Sequence, residues 1–303
     1  MPAIAADEVS PATSQEVDEV LESARKSVRS TSEWLARGVD GWFGDKPFSA
    51  GGRVSDGRLS VGLRTRQHQS PTFSVRFSAR FRLPNVESRA YLFLGLDDQR
   101  DVIADTPAVF SRQQRLQQLQ PESTTDNSFF GGIGVLAYDS LQFRVGLRGG
   151  LKPYAQARFG QAWHASDVDL ADFRETLFWS LDERLGSTTA LSYDHAYTST
   201  LAVRWLGSTT ITQASKHFDW ASSIGAYKSL GHLRLLALEA LVSGTQGSGI
   251  GASDFGLQTK WSQSIHKDWL LGEILVGYFW PRPDSQSRRI RAWALGLGVK
   301  MMF

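Results

Sequence analysis

The chain has no cysteine among its 303 residues, which excludes a disulfide framework, thiolate zinc sites and cysteine nucleophiles while leaving the compartment open. It has no apolar run of about 18 residues, so no transmembrane helix can be drawn from it. Thirty-three basic residues are nearly balanced by 31 acidic ones, for a net charge of +2, and no basic footprint points to nucleic acid. The motifs HExxH and GxSxG and the phosphate-binding P-loop are absent. The glycine-rich GTQGSGIG, residues 244–251, lies between two strand patterns with no helix to receive a phosphate, and reads as a flexible loop. In LDDQRDVIAD, the residues Asp97, Asp98, Asp101 and Asp105 lack EF-hand spacing; a solvated loop is expected there, with a surface divalent site as the alternative. No metal and no cofactor are expected.

What the chain does contain falls into two unlike parts. Residues 1–47 carry an acidic excess and a helical period. Thr13 with Glu16 forms a capping box, after which Val17, Val20, Leu21, Ala24, Val28, Leu35 and Val39 recur at spacings of three and four. One amphipathic helix is predicted, ending near Gly38 or Gly41, with Trp42, Phe43 and Phe48 as aromatic anchors behind it. It packs on its own domain, or serves as a plug, a membrane-surface helix or a partner-binding helix. The opening MPAIAAD resembles the small-residue tail of a secretory signal behind a start Met, which points to export.

From about residue 48 to 303 the period becomes two. In TFSVRFSARFRLP, Phe73, Val75, Phe77, Ala79 and Phe81 alternate with Ser74, Arg76, Ser78, Arg80 and Arg82. LQFRVGLR and KPYAQARF follow the same rule, as does the closing ALGLGVKMMF, where Leu295, Leu297, Val299, Met301 and Phe303 oppose Ala294, Gly296, Gly298 and Lys300. Successive strand side chains point to opposite faces, so one face is apolar and the other small or charged. Short turn signals such as YDS, HASD and IHKD alternate with longer polar stretches, chiefly 97–127, SGTQGSGIGASD and PRPDSQSRR. Assigning alternate connections to alternate ends gathers most long loops at one end. Many tryptophans, with Tyr138, Tyr154 and Tyr278, fall near predicted strand ends, where amphipathic rings sit at membrane interfaces. The expectation is an all-β, antiparallel up-and-down transmembrane barrel of about 14 strands, with 12 as the fallback, preceded by the helix. A soluble all-β sandwich is the bland alternative.

These alternating strands, the loop asymmetry and the terminal Phe303 resemble Gram-negative outer-membrane β-barrel proteins. RETLFW, WLLGEI and the closing stretch are similar to segments of uncharacterised barrels of that class. The resemblance implies an outer-membrane location, contact with outer-membrane lipid, and assembly by the barrel-assembly machinery through a C-terminal aromatic signal at Phe303. It implies no particular activity.

The chemistry-bearing residues are chiefly arginines. Arg76, Arg80, Arg82, Arg144, Arg148, Arg158, Arg174 and Arg204 take the parity opposite the apolar face, and a lipid-facing Arg near the midplane costs about 2–4 kcal/mol, so all eight are expected in the lumen. Glu239 and Glu273 sit in apolar runs and join them. Two readings follow: an Arg–Glu network that rigidifies a narrow barrel, or a cation-lined passage for anionic solutes. A pore, transport or structural role is therefore expected, with a periplasmic partner for the N-terminal helix as a further option. The alternative is a barrel-embedded hydrolase, phospholipase- or protease-like. In SYDHAY, Ser192 and Asp194 share a face and His195 takes the other, and the phospholipase pattern HxSNG is absent, so no catalytic residue is assigned.

Overall fold

The structure, a computed structural model, describes residues 11–40, 53–67, 69–82, 89–105, 127–231, 233–246, 251–282 and 288–303, with side chains of the first segment described over 18–33. Trp42, Phe43, Phe48, His68 and His232 lie outside the described residues, as do the side chains of Val17, Leu35, Val39, Asp98 and Asp101.

Helix α1 spans Pro11–Asp40. The strands are β1 Arg53–Arg66, β2 Thr72–Arg82, β3 Ala90–Asp98, β4 Asn127–Tyr138, β5 Leu141–Arg148, β6 Lys152–His164 and β7 Asp169–Ser180. They continue as β8 Arg184–Thr198, β9 Leu201–Thr212, β10 Phe218–Ser229, β11 Arg234–Gln246, β12 Asp254–His266, β13 Leu270–Phe279 and β14 Ala292–Met302. A short helix, α2, occupies Gln99–Ala104 between β3 and β4.

Each strand pairs with its sequence neighbours, and β14 returns to β1, so the sheet is a closed up-and-down barrel of 14 strands. The closing seam is antiparallel and runs from Arg58 against Met302 to Arg66 against Ala294. Closure removes both free edges, so every strand has a hydrogen-bonding partner on each side.

Period-two alternation and register together decide which residues face out. Leu63 pairs with Leu297 and Val61 with Val299; all four are substantially exposed, while the intervening Gly62 and Gly298 pair across the inner face. Round the barrel the outward set includes Val145, Leu177, Ile224, Leu238, Leu257, Ile274 and Val276, each at least 48% exposed, although all are aliphatic. A contiguous apolar exterior of this kind is inverted relative to that of a water-soluble monomer.

The two rims differ. β3, β11 and β13 end at the loop rim, whereas 139–140, 165–168, 199–200 and 267–269 join strands at the terminal rim, where β1 begins and β14 ends. Helix α1 docks at the terminal rim. Its Leu21 and Val28 pack against Trp269, Leu270 and Met301, and Leu270 and Met301 belong to the outward set. Glu22 accepts a hydrogen bond from Lys267 Nζ at 2.6 Å, Asp18 lies 3.1 Å from His266 Nδ1, and Arg25 stacks over the Trp269 ring at 5.1 Å. Only part of the helix's apolar stripe is used, since Val20 stays 67% exposed.

Candidate functional site

The inner wall of the barrel has two contrasting sectors. Between β13, β14, β1 and β2 the inner wall includes a patch of small residues: Ser60 and Gly62, Ser74 and Ser78, Gly296 and Gly298. Side chains this short cannot reach across the lumen, and a cavity of about 260 Å³ remains along this wall. Its charged lining comprises Arg58, Arg64, Arg76 and Lys300, with Asp97 and Glu273. Arg76 Nε lies 3.4 Å from Asp97, and Glu273 lies 3.9 Å from Lys260 Nζ. Cations therefore outnumber acids along the open wall.

The sector from β3 to β7 is filled. The chain leaving β3 turns into the lumen as α2 and places Ile103, fully buried, among Tyr91, Phe93, Tyr154 and Phe178. Gln156 Nε2 donates to the Val102 carbonyl at 2.8 Å and also to that of Ile103, satisfying the end of the short helix. Just past α2, Asp105 lies 3.3 Å from Arg158 Nε and 3.2 Å from Arg174 Nε, and its backbone carbonyl accepts from Arg174 Nη2 at 3.1 Å. Asp105 has φ +52°, a left-handed conformation that Asp tolerates better than most residues. The two guanidinium groups hold this turn against the wall. The stretch expected as a solvated loop is, at Val102–Asp105, an interior element, since Asp105 finds its counter-ions on β6 and β7.

The remaining sequence-predicted residues extend this filled side or line the rims. Arg144 Nε donates to the Tyr91 hydroxyl at 3.0 Å and sits over Phe93 at 5.6 Å, while Arg80 lies over Tyr91 at 5.3 Å. Arg148 reaches Asp182 at 2.8 Å on the loop rim, with Lys152 Nζ at 3.2 Å from the same carboxylate. Arg204 forms a forked pair with Asp194 and lies over Tyr227 at 6.0 Å. Glu239, 3% exposed, accepts from Tyr227 at 2.6 Å and from Gln258 Nε2 at 2.5 Å, so a polar chain crosses β8 to β12 on the inside. Arg82 takes the same inward parity at the terminal end of β2 and is exposed. Tyr154, read from the sequence as an interfacial ring, instead points inward and is 1% exposed, because its parity matches Gln156 and Arg158.

Several inward residues escaped the sequence reading. Arg66 lies 3.5 Å from Asp254 at the loop rim, both side chains almost wholly buried, with Phe279 beneath the guanidinium at 5.2 Å. Arg58, Arg64 and Arg66 obey the same alternation as the residues picked out on β2, so parity in RLSVGLRTR would have found them. Asp105 carries no such signal; its place depends on a loop folding inward.

Two features of the exterior bear on the other expectations. Ser192 and Asp194 face in, whereas His195 faces out near the terminal rim, with its Nδ1 2.7 Å from Asp169. Asp169 also accepts from Ser166 at 2.6 Å and Tyr193 at 2.5 Å, so Ser166 contacts the acid, not the imidazole. A nucleophile needs its base within hydrogen-bonding reach, and this cluster lacks that order. Phe303 donates its backbone N–H to the Gly57 carbonyl at 3.0 Å and stacks on Phe77 at 6.1 Å. Its ring lies against Gly57, where a Cβ would overlap it, so a larger residue there would displace the ring.

Fold and site define a closed 14-strand barrel with a charged, partly filled interior. No family model matches the sequence, and no curated protein does. Among solved structures, the KdgM porin is similar at 10% identity and a TM-score of 0.38, over 81% of this chain and 99% of that one. The outer-membrane protein OmpT of Vibrio cholerae is similar at 11% identity and a TM-score of 0.44, over 83% and 98%. OprB of Pseudomonas putida is similar at 7% identity and a TM-score of 0.47, over 84% and 94%.

Proposed function

We propose that the chain is an outer-membrane pore that passes small anionic solutes along the wall formed by β13, β14, β1 and β2. The supporting observation is the cavity on that wall, floored by Gly62, Gly296, Gly298 and three serines and lined by Arg58, Arg64, Arg76 and Lys300. Inward arginines lower the barrier for an anion and raise it for a cation, which is how rings of basic side chains select in a pore. The exposed aliphatic exterior supports the membrane placement, since lipid is the solvent that such a surface suits. In this reading the terminal rim faces the periplasm, with α1 beside it and available to a periplasmic partner. Phe303 serves as the signal read during barrel assembly.

The test is single-channel conductance of the refolded protein in a planar bilayer. Steady conductance with anion preference is expected. Replacing Arg58, Arg64 and Arg76 with Gln should abolish the preference, and Gly298→Trp should reduce conductance while leaving insertion intact. An inserted barrel that conducts nothing overturns the pore.

A further inference from the structure

We infer that the outer wall formed by β7 to β10 is an interface with a second copy of this chain, centred on Glu175. The inference rests on the membrane placement proposed above, and not on conduction.

Glu175 lies midway along β7 and faces out: it pairs with Phe159 on β6 and Thr189 on β8, and it shares its face with Phe173 and Leu177. Among the described strand residues it is the only charged side chain on the outward face that is set well away from a strand end. Asp169, His195, Lys228 and Arg234 also face out, but all lie near strand ends, where water and headgroups are close. A carboxylate at hydrocarbon depth is costly, and such groups in membrane proteins usually face protein or an aqueous cavity.

The surroundings of Glu175 are built for a polar contact. Its carboxylate accepts from Thr189 Oγ1 at 2.6 Å and from Ser187 Oγ. The hydroxyl row continues on the same outer face, with Thr209 paired to Thr189 and Ser222 paired to Gly207. Ser222 Oγ accepts from Trp205 Nε1 at 3.0 Å, and the Trp205 ring lies over Gly207, 3.1 Å from where a Cβ would stand. Among bulky outward neighbours such as Leu177, Leu191 and Ile224, this wall carries an acid and four hydroxyls.

The occupant follows from symmetry. Two copies inserted in the same direction are related by a two-fold axis along the membrane normal, which keeps every residue at its depth and sets one edge of a patch against the other edge in the partner. The patch has its carboxylate at the β7 edge and further hydroxyls at the β9 and β10 edge, so acceptor meets donor across the axis. An acyl chain offers no donor at that depth. Small and hydroxyl-bearing residues also let the two walls approach closely, as in other membrane contacts.

The absence of cysteine makes the test clean. Leu191, which pairs with Gly207 at the middle of the patch, would meet its own copy across the axis. Leu191→Cys in proteoliposomes under mild oxidation should give a disulfide-linked dimer, whereas Leu295→Cys on β14 should remain monomeric. Adding Glu175→Leu, which suits lipid and should fold, is expected to reduce the linked fraction several-fold, and Glu175→Gln to reduce it less. Equal linkage at both walls, no linkage at either, or linkage indifferent to Glu175→Leu overturns the interface. Failure of the protein to insert at all overturns the membrane placement and the interface with it, which distinguishes the two.

Discussion

The filled and open sectors of the barrel are made from one alternating pattern, yet they differ in what each inward side chain is asked to do. From β3 to β7 long and aromatic inward residues pack over inward glycines and converge on α2, and arginines there are absorbed by Asp105, Tyr91 and Phe93. From β13 to β2 a patch of inward glycines and serines lies between arginines, and a cavity remains. An arginine-rich lumen is thus two things at once: cement on one wall, lining on the other.

That contrast can be broken in order of expected effect. Removing the acid of the buried rim pair, Asp254→Ala, takes the carboxylate away from a buried Arg66 and should cost about 3–5 kcal/mol, read from urea unfolding of the refolded barrel. Ile103→Asp places an unpaired carboxylate among Tyr154 and Phe178 and should cost about 2–4 kcal/mol while releasing α2; conductance should rise, and an unchanged conductance would show that the filled wall was not limiting. Arg158→Gln and Arg76→Gln sharpen the comparison directly. The first should lower stability by about 1 kcal/mol with little change in ion preference, and the second should shift the reversal potential with little change in stability. The smallest effect is expected at α1, outside the wall. Lys267 donates to Glu22 and, despite the opposing effect of desolvation, holds its carboxyl below the ordinary carboxylate range. The contact is therefore complete at neutral pH and is lost as pH falls through that lowered value, so α1 should become sensitive to protease only in acid, and Glu22→Gln should show that sensitivity at neutral pH.

Much of the fold was legible from local pattern. Strict alternation in TFSVRFSARFR and LQFRVGLR is enough to define strands and faces, because the side-chain period of a strand admits no other reading over eight or more residues. The strand number followed from the spacing of turn signals. The candidate site was legible only one strand at a time. Parity assigns Arg158 and Arg174 a side of the sheet, but their shared counter-ion arrives from residue 105, brought by a chain reversal that leaves no periodic trace. Tyr154 and Glu175 show the same limit. The Tyr154 ring, close to a turn, carries the local mark of an interfacial anchor while register puts it inside, and parity sends Glu175 of RETLFW outward, where charge is least expected.

The seam between β1 and β14 carries a consequence for time as well as for shape. Arg58 hydrogen-bonds in register with Met302, so the two ends of the barrel meet across nearly the whole contour of the chain. Closing so long a loop is entropically slow, and contacts of large sequence separation are the ones that retard folding. The thirteen junctions between sequence neighbours can form earlier, most across connections of a few residues, but the last lateral contact must wait for all of them. Until it forms, the sheet has two unsatisfied edges, and the interval before closure is when the chain is most open to adding a strand from another molecule. The stacking of Phe303 on Phe77 across Gly57 sits at that final junction, so it acts as a latch whose contribution belongs to the end of folding and to the lifetime of the closed ring.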